Sequence, residues 1–180
     1  MRRLLALFAA ALLALPVAAK DLPMAGSNPP PLDYKGTDEE WKEQSIAPPA
    51  YPKDADLVAL QLGPTERNQF LVDASSISIG SDEIVRYILV IRTSGGALNV
   101  NYEGLRCKTG EHKIYAVTRS DGSWRVLPKA EWKPIENITM NRYKVALNRE
   151  YFCIDGGLHS ADEGRQALKL GHNPRIKNTN

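Results

Sequence analysis

The sequence predicts an α+β fold: an antiparallel six-stranded β-meander, curled and free to close toward a barrel, with C-terminal helices packed on one face. Three observations predict it. Residues 57–127 read as short runs rich in β-branched and aromatic residues, broken by turns containing Gly, Asp and Ser. The breaks are too short for crossovers, so runs adjacent in sequence pair as neighbours in the sheet. Beyond Pro134 the apolar residues recur three and four apart, the period of a helix.

Before the sheet come a leader and a tail. Met1-Arg2-Arg3, the apolar run Leu4–Leu15 and the small residues Val17-Ala18-Ala19 have the layout of a signal peptide over 1–19, cleaved after Ala19. The run is short for a transmembrane span, and no later segment is as apolar, so residues 20–180 are expected to lack one. Of the 23 Lys and Arg, two lie in this leader; the other 21 equal the 21 Asp and Glu. A neutral mature chain gives no electrostatic ground for nucleic-acid binding. Residues 20–53, with Pro29–Pro31, Pro48-Pro49 and Pro52, read as an extended tail. Thr37 and Glu40 have capping-box spacing, which predicts a helical turn over Thr37–Gln44 with Trp41 as its anchor on the domain.

One domain is expected over 54–173, and 174–180 is a C-terminal tail. Its strands are predicted at Leu57–Leu62, Phe70–Ile79, Glu83–Thr93, Ala97–Cys107, His112–Arg119 and Ser123–Leu127; Asp121-Gly122 is the strongest hairpin signal. A helix is predicted over Glu136–Arg149, with Ile135, Ile138, Tyr143, Ala146 and Leu147 near one face. Ser160 and Glu163 form a capping box for a second helix, which Gly171 and Pro174 stop.

In an oxidising compartment Cys107 and Cys153 are expected to form one structural disulfide, worth roughly 4 kcal/mol for a loop of that length. The C-x-x-C spacing of a redox pair is absent, and two cysteines with three scattered histidines do not compose a zinc site. No metal and no cofactor is expected.

The middle hairpin sets the faces. A two-residue turn at Ser94-Gly95 places Val85, Tyr87, Leu89 and Ile91 with Leu98, Val100 and Tyr102 on a clean apolar face. Ile84, Arg86, Ile88, Val90 and Arg92 then share a mixed face with Asn99, Asn101, Glu103 and Cys107, and the disulfide brings the helices there. On this register Arg86 stands opposite Glu103.

Several segments resemble the CNP1-like family of exported bacterial proteins. They are Glu40-Trp41-Lys42-Glu43, Val72-Asp73 with Ser76, Ser78 and Gly80, Val85-Arg86-Tyr87, Asn99, Tyr102-Glu103-Gly104-Leu105-Arg106-Cys107 and Tyr151-Phe152-Cys153. The resemblance covers roughly residues 39–171, and its most specific part is the Tyr-Glu-Gly-x-Arg-Cys run. It implies a bacterial envelope setting and no activity.

Arg86, Tyr102, Glu103 and Arg106 are the candidate ligand-binding residues, with Arg86 suited to hold a carboxylate or phosphate. The plainer reading is a cross-strand ion pair between Arg86 and Glu103 beneath the helices. Asp155, His159 and Asp162 offer carboxylates and an imidazole on one loop, although the adjacent glycines suit a simple helix boundary. His112 and His172 have no ligand-spaced partner and are expected at the surface. Trp124, Trp132, Tyr115 and Tyr143 suit either an aromatic binding surface or packing. No nucleophile elbow, zinc-protease helix or phosphate-binding loop is present, and no catalytic residue is assigned. The expectation is a periplasmic, non-catalytic binding module whose partner is an envelope protein or periplasmic component. The alternative is a small periplasmic hydrolase using Glu103, Asp155 or His159.

Overall fold

Runs of alternating side chains bounded by turns build one antiparallel sheet. The computed structural model describes residues 41–176. Strands β1 (Leu57–Ala59), β2 (Gln69–Ile79), β3 (Ile84–Arg92), β4 (Leu98–Arg106), β5 (Glu111–Thr118) and β6 (Trp124–Val126) lie across the sheet in chain order. β7, only Lys133–Pro134, pairs with the start of β5; two residues carry no periodicity by which to predict it. β1 and β6 do not pair with each other, so the sheet is open and not a barrel.

The register of the central hairpin differs from expectation by one residue. Arg92 pairs with Leu98, and Thr93 N–H donates to the Ala97 carbonyl at 2.9 Å, which leaves a three-residue loop, Ser94-Gly95-Gly96. Gly96 has φ +84, the left-handed residue that closes a loop of this length. The β5–β6 hairpin repeats this geometry around Asp121-Gly122. One extra loop residue exchanges the two faces of β4 relative to β3. Arg86 therefore pairs with Gly104, Tyr87 with Glu103 and Ile88 with Tyr102.

Two apolar layers follow from that register. Val72, Val85, Tyr87, Leu89 and Leu105 face the helices, against Tyr143, Leu147, Tyr151, Phe152 and Leu168. Leu71, Ile88, Val90, Val100, Tyr102 and Ala116 form the second layer. The helices thus cover the face of Tyr87 and Leu89, and not the face of Arg86 as expected.

The first helical segment starts later and runs further than predicted. A 3-10 turn at Thr139–Asn141 leads into α1 (Arg142–Ala146), which continues as a π-helical turn, Leu147–Phe152. Ile138 is extended, so Glu136–Ile138 stays outside. The widened turn lets Leu147, Tyr151 and Phe152 all be buried. The Cys107–Cys153 disulfide then ties its end to the end of β4. α2 (Ala161–Leu170) begins as predicted: Ser160 Oγ accepts from the Glu163 N–H, and the Glu163 carboxylate accepts from the His159 N–H at 2.8 Å. That carboxylate also accepts from Arg175 Nε at 2.6 Å, and buried Asn173 donates to the Tyr151 carbonyl. Residues as late as Arg175 are therefore fastened to the helices.

Residues 41–53 have no regular secondary structure. The helical turn expected over Thr37–Gln44 is absent from Trp41–Gln44, and Thr37–Glu40 lies outside the described residues. The segment forms a strap over the second apolar layer: Trp124 Nε1 donates to the Pro49 carbonyl at 2.8 Å, and Trp41 Nε1 donates to the Asp82 carbonyl at 3.1 Å. No helix among the described residues is long and apolar enough to cross a membrane.

Candidate functional site

The expected site residues fall on opposite sides of the sheet. Arg86, Tyr102 and Arg106 point toward the strap, and Glu103 points toward the helices. Arg86, 1% exposed, donates to both carboxylate oxygens of Asp82, at 2.5 and 3.0 Å, and to the Gln44 carbonyl. The Asp82 carboxylate also accepts from the Gln44 N–H at 2.8 Å. Although burial opposes ionisation, the bonds from Arg86 and Gln44 hold the Asp82 carboxyl below its ordinary value. Arg106 lies over the Trp41 ring, 3.8 Å from guanidinium carbon to centroid. Glu43 accepts from Lys113 Nζ and Trp132 Nε1. Arg86 and Arg106 thus fasten the strap, and the partner of Arg86 is Asp82, which sequence reasoning missed. The buried Tyr102 ring packs against Tyr115 and Trp124.

The aromatic residues divide in the same way. Tyr115, Trp124 and Trp132 lie on the strap side, whereas Tyr143 stacks on Phe70 beneath the helices. The Tyr115 ring sits where Gly104 has no side chain; a Cβ there would come within 2.8 Å of the ring.

Glu103 heads the second polar network. It is fully buried, and its carboxylate accepts from Asn101 Nδ2 at 3.0 Å and from the hydroxyls of Tyr87 and Tyr143 at 3.3 Å each. Burial raises its pKa despite these bonds and the charge of Lys144. Two residues further along the β4–β5 ladder Leu105 pairs with His112, which places His112 on the same face. His112 is 7% exposed, contrary to the surface position expected of it. The strand alternation His112, Ile114 carried that signal, since Ile114 pairs with Glu103.

Lys144 of α1 joins these parts. Its Nζ lies 3.1 Å from His112 Nε2 and 3.2 Å from Asn141 Oδ1. An ammonium has no lone pair to offer, so Nε2 is the acceptor and the ring proton resides on Nδ1. That Nδ1–H is buried and has no partner among the described residues. Burial, then the charges of Lys144 and Lys133, push the His112 pKa down to about 4. Burial likewise lowers that of Lys144, with Glu103 opposing and Lys133 adding to the effect.

His112 and Lys144 form one wall of a cleft of about 630 Å³, within the range of small-molecule sites. Its mouth carries Lys129, Lys133, Glu131 and Glu136, and Ile114, Leu127, Ala130 and Pro134 supply apolar surface. No charged side chain of this cleft belongs to an ion pair among the described residues.

Glu103, Asp155 and His159 do not assemble. Asp155 and His159 are exposed on the loop before α2, and none of the bonds to Glu103 involves either. His159 Nε2 instead lies 3.2 Å from Arg175, and Asp162 pairs with Arg165 on the helix surface. Among the described residues no three His, Cys, Asp or Glu side chains are grouped to hold a metal.

No curated protein and no solved structure matches this chain. The family model described as CNP1-like family matches residues 36–169, which include the strap, the whole sheet and nearly all of α2, and the chain belongs to that family.

Proposed function

We propose that this protein is an exported, periplasmic binding module of the bacterial envelope that acts without catalysis. The observation that carries the reading is the state of Glu103. Glu103, the buried carboxylate behind the His112–Lys144 wall, is wholly enclosed and engaged by three donors, so it positions its neighbours and is not presented to a substrate as an acid or base. The cleft before it supplies fixed donors, which suits recognition. Export is supported by the Cys107–Cys153 bridge, a feature of oxidising compartments, and by the leader-like residues 1–19. The partner is an envelope protein or a periplasmic component.

The test is expression of the full chain in a Gram-negative host, followed by fractionation and in-cell crosslinking. The expected result is a periplasmic species starting at Lys20, with no free thiol and a reproducible crosslinked partner. A reduced, uncleaved protein in the cytoplasm would overturn the export reading. Absence of any reproducible partner would overturn the binding reading.

A further inference from the structure

The wall of the cleft made by His112 and Lys144 has donors without acceptors. The His112 Nδ1–H is buried and unpartnered among the described residues, in a residue that is more than nine-tenths enclosed. Leaving such a donor unsatisfied costs about 1–3 kcal/mol. Lys144 has one neutral acceptor in Asn141 and one in His112, and among the described residues no carboxylate completes an ion pair with it. Glu103 lies behind this wall, engaged by Asn101 and two tyrosines. Lys133 lies on the same cleft, and β7 pairs it directly with His112. Glu131 and Glu136 also border the cleft, and neither is bonded to His112 or Lys144. Ile114, Leu127, Ala130 and Pro134 line the remainder.

We infer that the cleft binds a small ligand with a carboxylate head and an apolar body, its carboxylate held by Lys144 and Lys133 and its body lying on Ile114, Leu127 and Pro134. A carboxylate accepts up to four hydrogen bonds, so it can take an ammonium from each lysine, and a ligand on Lys144 is felt by the His112 ring through the Nζ–Nε2 contact. The apolar lining favours such a ligand over a bare inorganic anion. The assignment deepens the binding reading above and rests on it only in using this cleft as the binding site.

The probes are hexanoate, N-acetyl-leucine, hexanamide and inorganic phosphate, titrated into protein purified after expression of the full chain. Binding is read by calorimetry and by the ¹⁵N shifts of the His112 ring. Hexanoate or N-acetyl-leucine should bind and move the His112 signals; hexanamide should bind more than tenfold more weakly, as expected when a charge-assisted bond is lost. The preferred one of the two acids distinguishes a simple acyl ligand from a peptide terminus. Lys133→Gln, at an exposed position, should weaken the acid by roughly tenfold. Lys169→Gln on α2 should leave it unchanged. Lys144→Met is the stronger variant, and Lys133→Gln with the His112 signals keeps the test decisive should Lys144→Met not fold. Equal binding of hexanamide and hexanoate would overturn the carboxylate assignment while sparing the binding reading. Preference for phosphate would overturn it too. No binding of any probe, with unmoved His112 signals, would remove the cleft as a ligand site and leave the crosslinking test of the binding reading untouched.

Discussion

Asp82 and Arg86 form a buried ion pair across one turn and the start of β3, closed at 2.5 Å with both side chains 1% exposed. The Gln44 N–H and carbonyl complete it from the strap. A carboxylate and a guanidinium satisfied in this way hold a peptide segment in a fixed place. Asp82→Asn would leave Arg86 charged and enclosed, and should cost about 3–5 kcal/mol. Urea unfolding of the two proteins measures this. Because the Asp82 pKa is lowered on folding, the stability it supplies is present above the ordinary carboxylate range. It disappears as pH falls through the folded value, so the wild type should lose its advantage over the variant in acid.

Trp41 anchors the strap by its indole N–H, by the Arg106 guanidinium on its face and by an edge contact with Trp132. Trp41→Ala should release the strap without unfolding the sheet, at a cost of about 2–3 kcal/mol. Limited proteolysis gives the sharpest readout: cleavage near Ile46–Tyr51 should accelerate while residues 57–170 remain intact. Unchanged cleavage would mean that Trp41 is dispensable for docking.

The disulfide joins residues 46 apart in sequence. Its removal by Cys107→Ser with Cys153→Ser should lower stability by up to about 4 kcal/mol in the chain-entropy view. Thermal midpoints with and without reductant should differ for the wild type and coincide for the double variant.

His112 predicts a loss of stability in mild acid. Its folded pKa is about 4, below the ordinary histidine value of 6.5. Between those values the unfolded chain binds a proton that the folded one refuses, so stability rises with pH across the window and is complete above it. The contribution is at most about 3 kcal/mol. His112→Phe should flatten the profile between pH 4 and 6.5, as denaturant midpoints at several pH values would register.

Glu103 acts with the opposite sign. A carboxyl whose folded pKa is raised is penalised as pH climbs past the unfolded value of about 4.5, and the penalty is complete above the folded value. Glu103→Gln keeps an acceptor for the tyrosine hydroxyls and removes the charge. It should match or exceed wild-type stability near neutral pH, whereas Glu103→Ala should fall well below it. A destabilised Gln variant would show that Glu103 is needed as an anion.

Much of this architecture was legible in the chain. Alternating side chains and turn residues located all six long or short strands of the meander, because a buried face imposes a period of two whatever lies against it. The Ser160–Glu163 spacing located the start of α2 for an equally local reason. The faces of β4 were not legible, since Ser94-Gly95-Gly96 admits either a two- or a three-residue loop, and that single residue decides whether Arg86 meets Glu103 or Gly104. The same slip hid the site. Glu103 was singled out, but His112, Lys144 and Lys133 come together only once the helix-facing side is known, and their sequence separations carry no motif. Asp82 and Gln44 escaped notice because a carboxylate beside a turn glycine and a glutamine in a proline-rich tail look like solvated residues.

The open sheet leaves two boundaries at which another chain could add a strand, and both are brief. β1 and β6 are three residues each, and β7 is two with a proline. The long strands β3 and β4 lie inside, with hydrogen-bonded neighbours on both sides. On β5, β7 covers Glu111 and His112, β6 covers Ala116 to Thr118, and Leu127 takes the Tyr115 carbonyl between them. The longest stretch without an outer strand among the described residues is Ala74 to Ile79 on β2, and there the pairing with β3 is itself interrupted between Asp73 and Ser78, an irregularity of the kind that keeps an edge from templating a second copy at high local concentration.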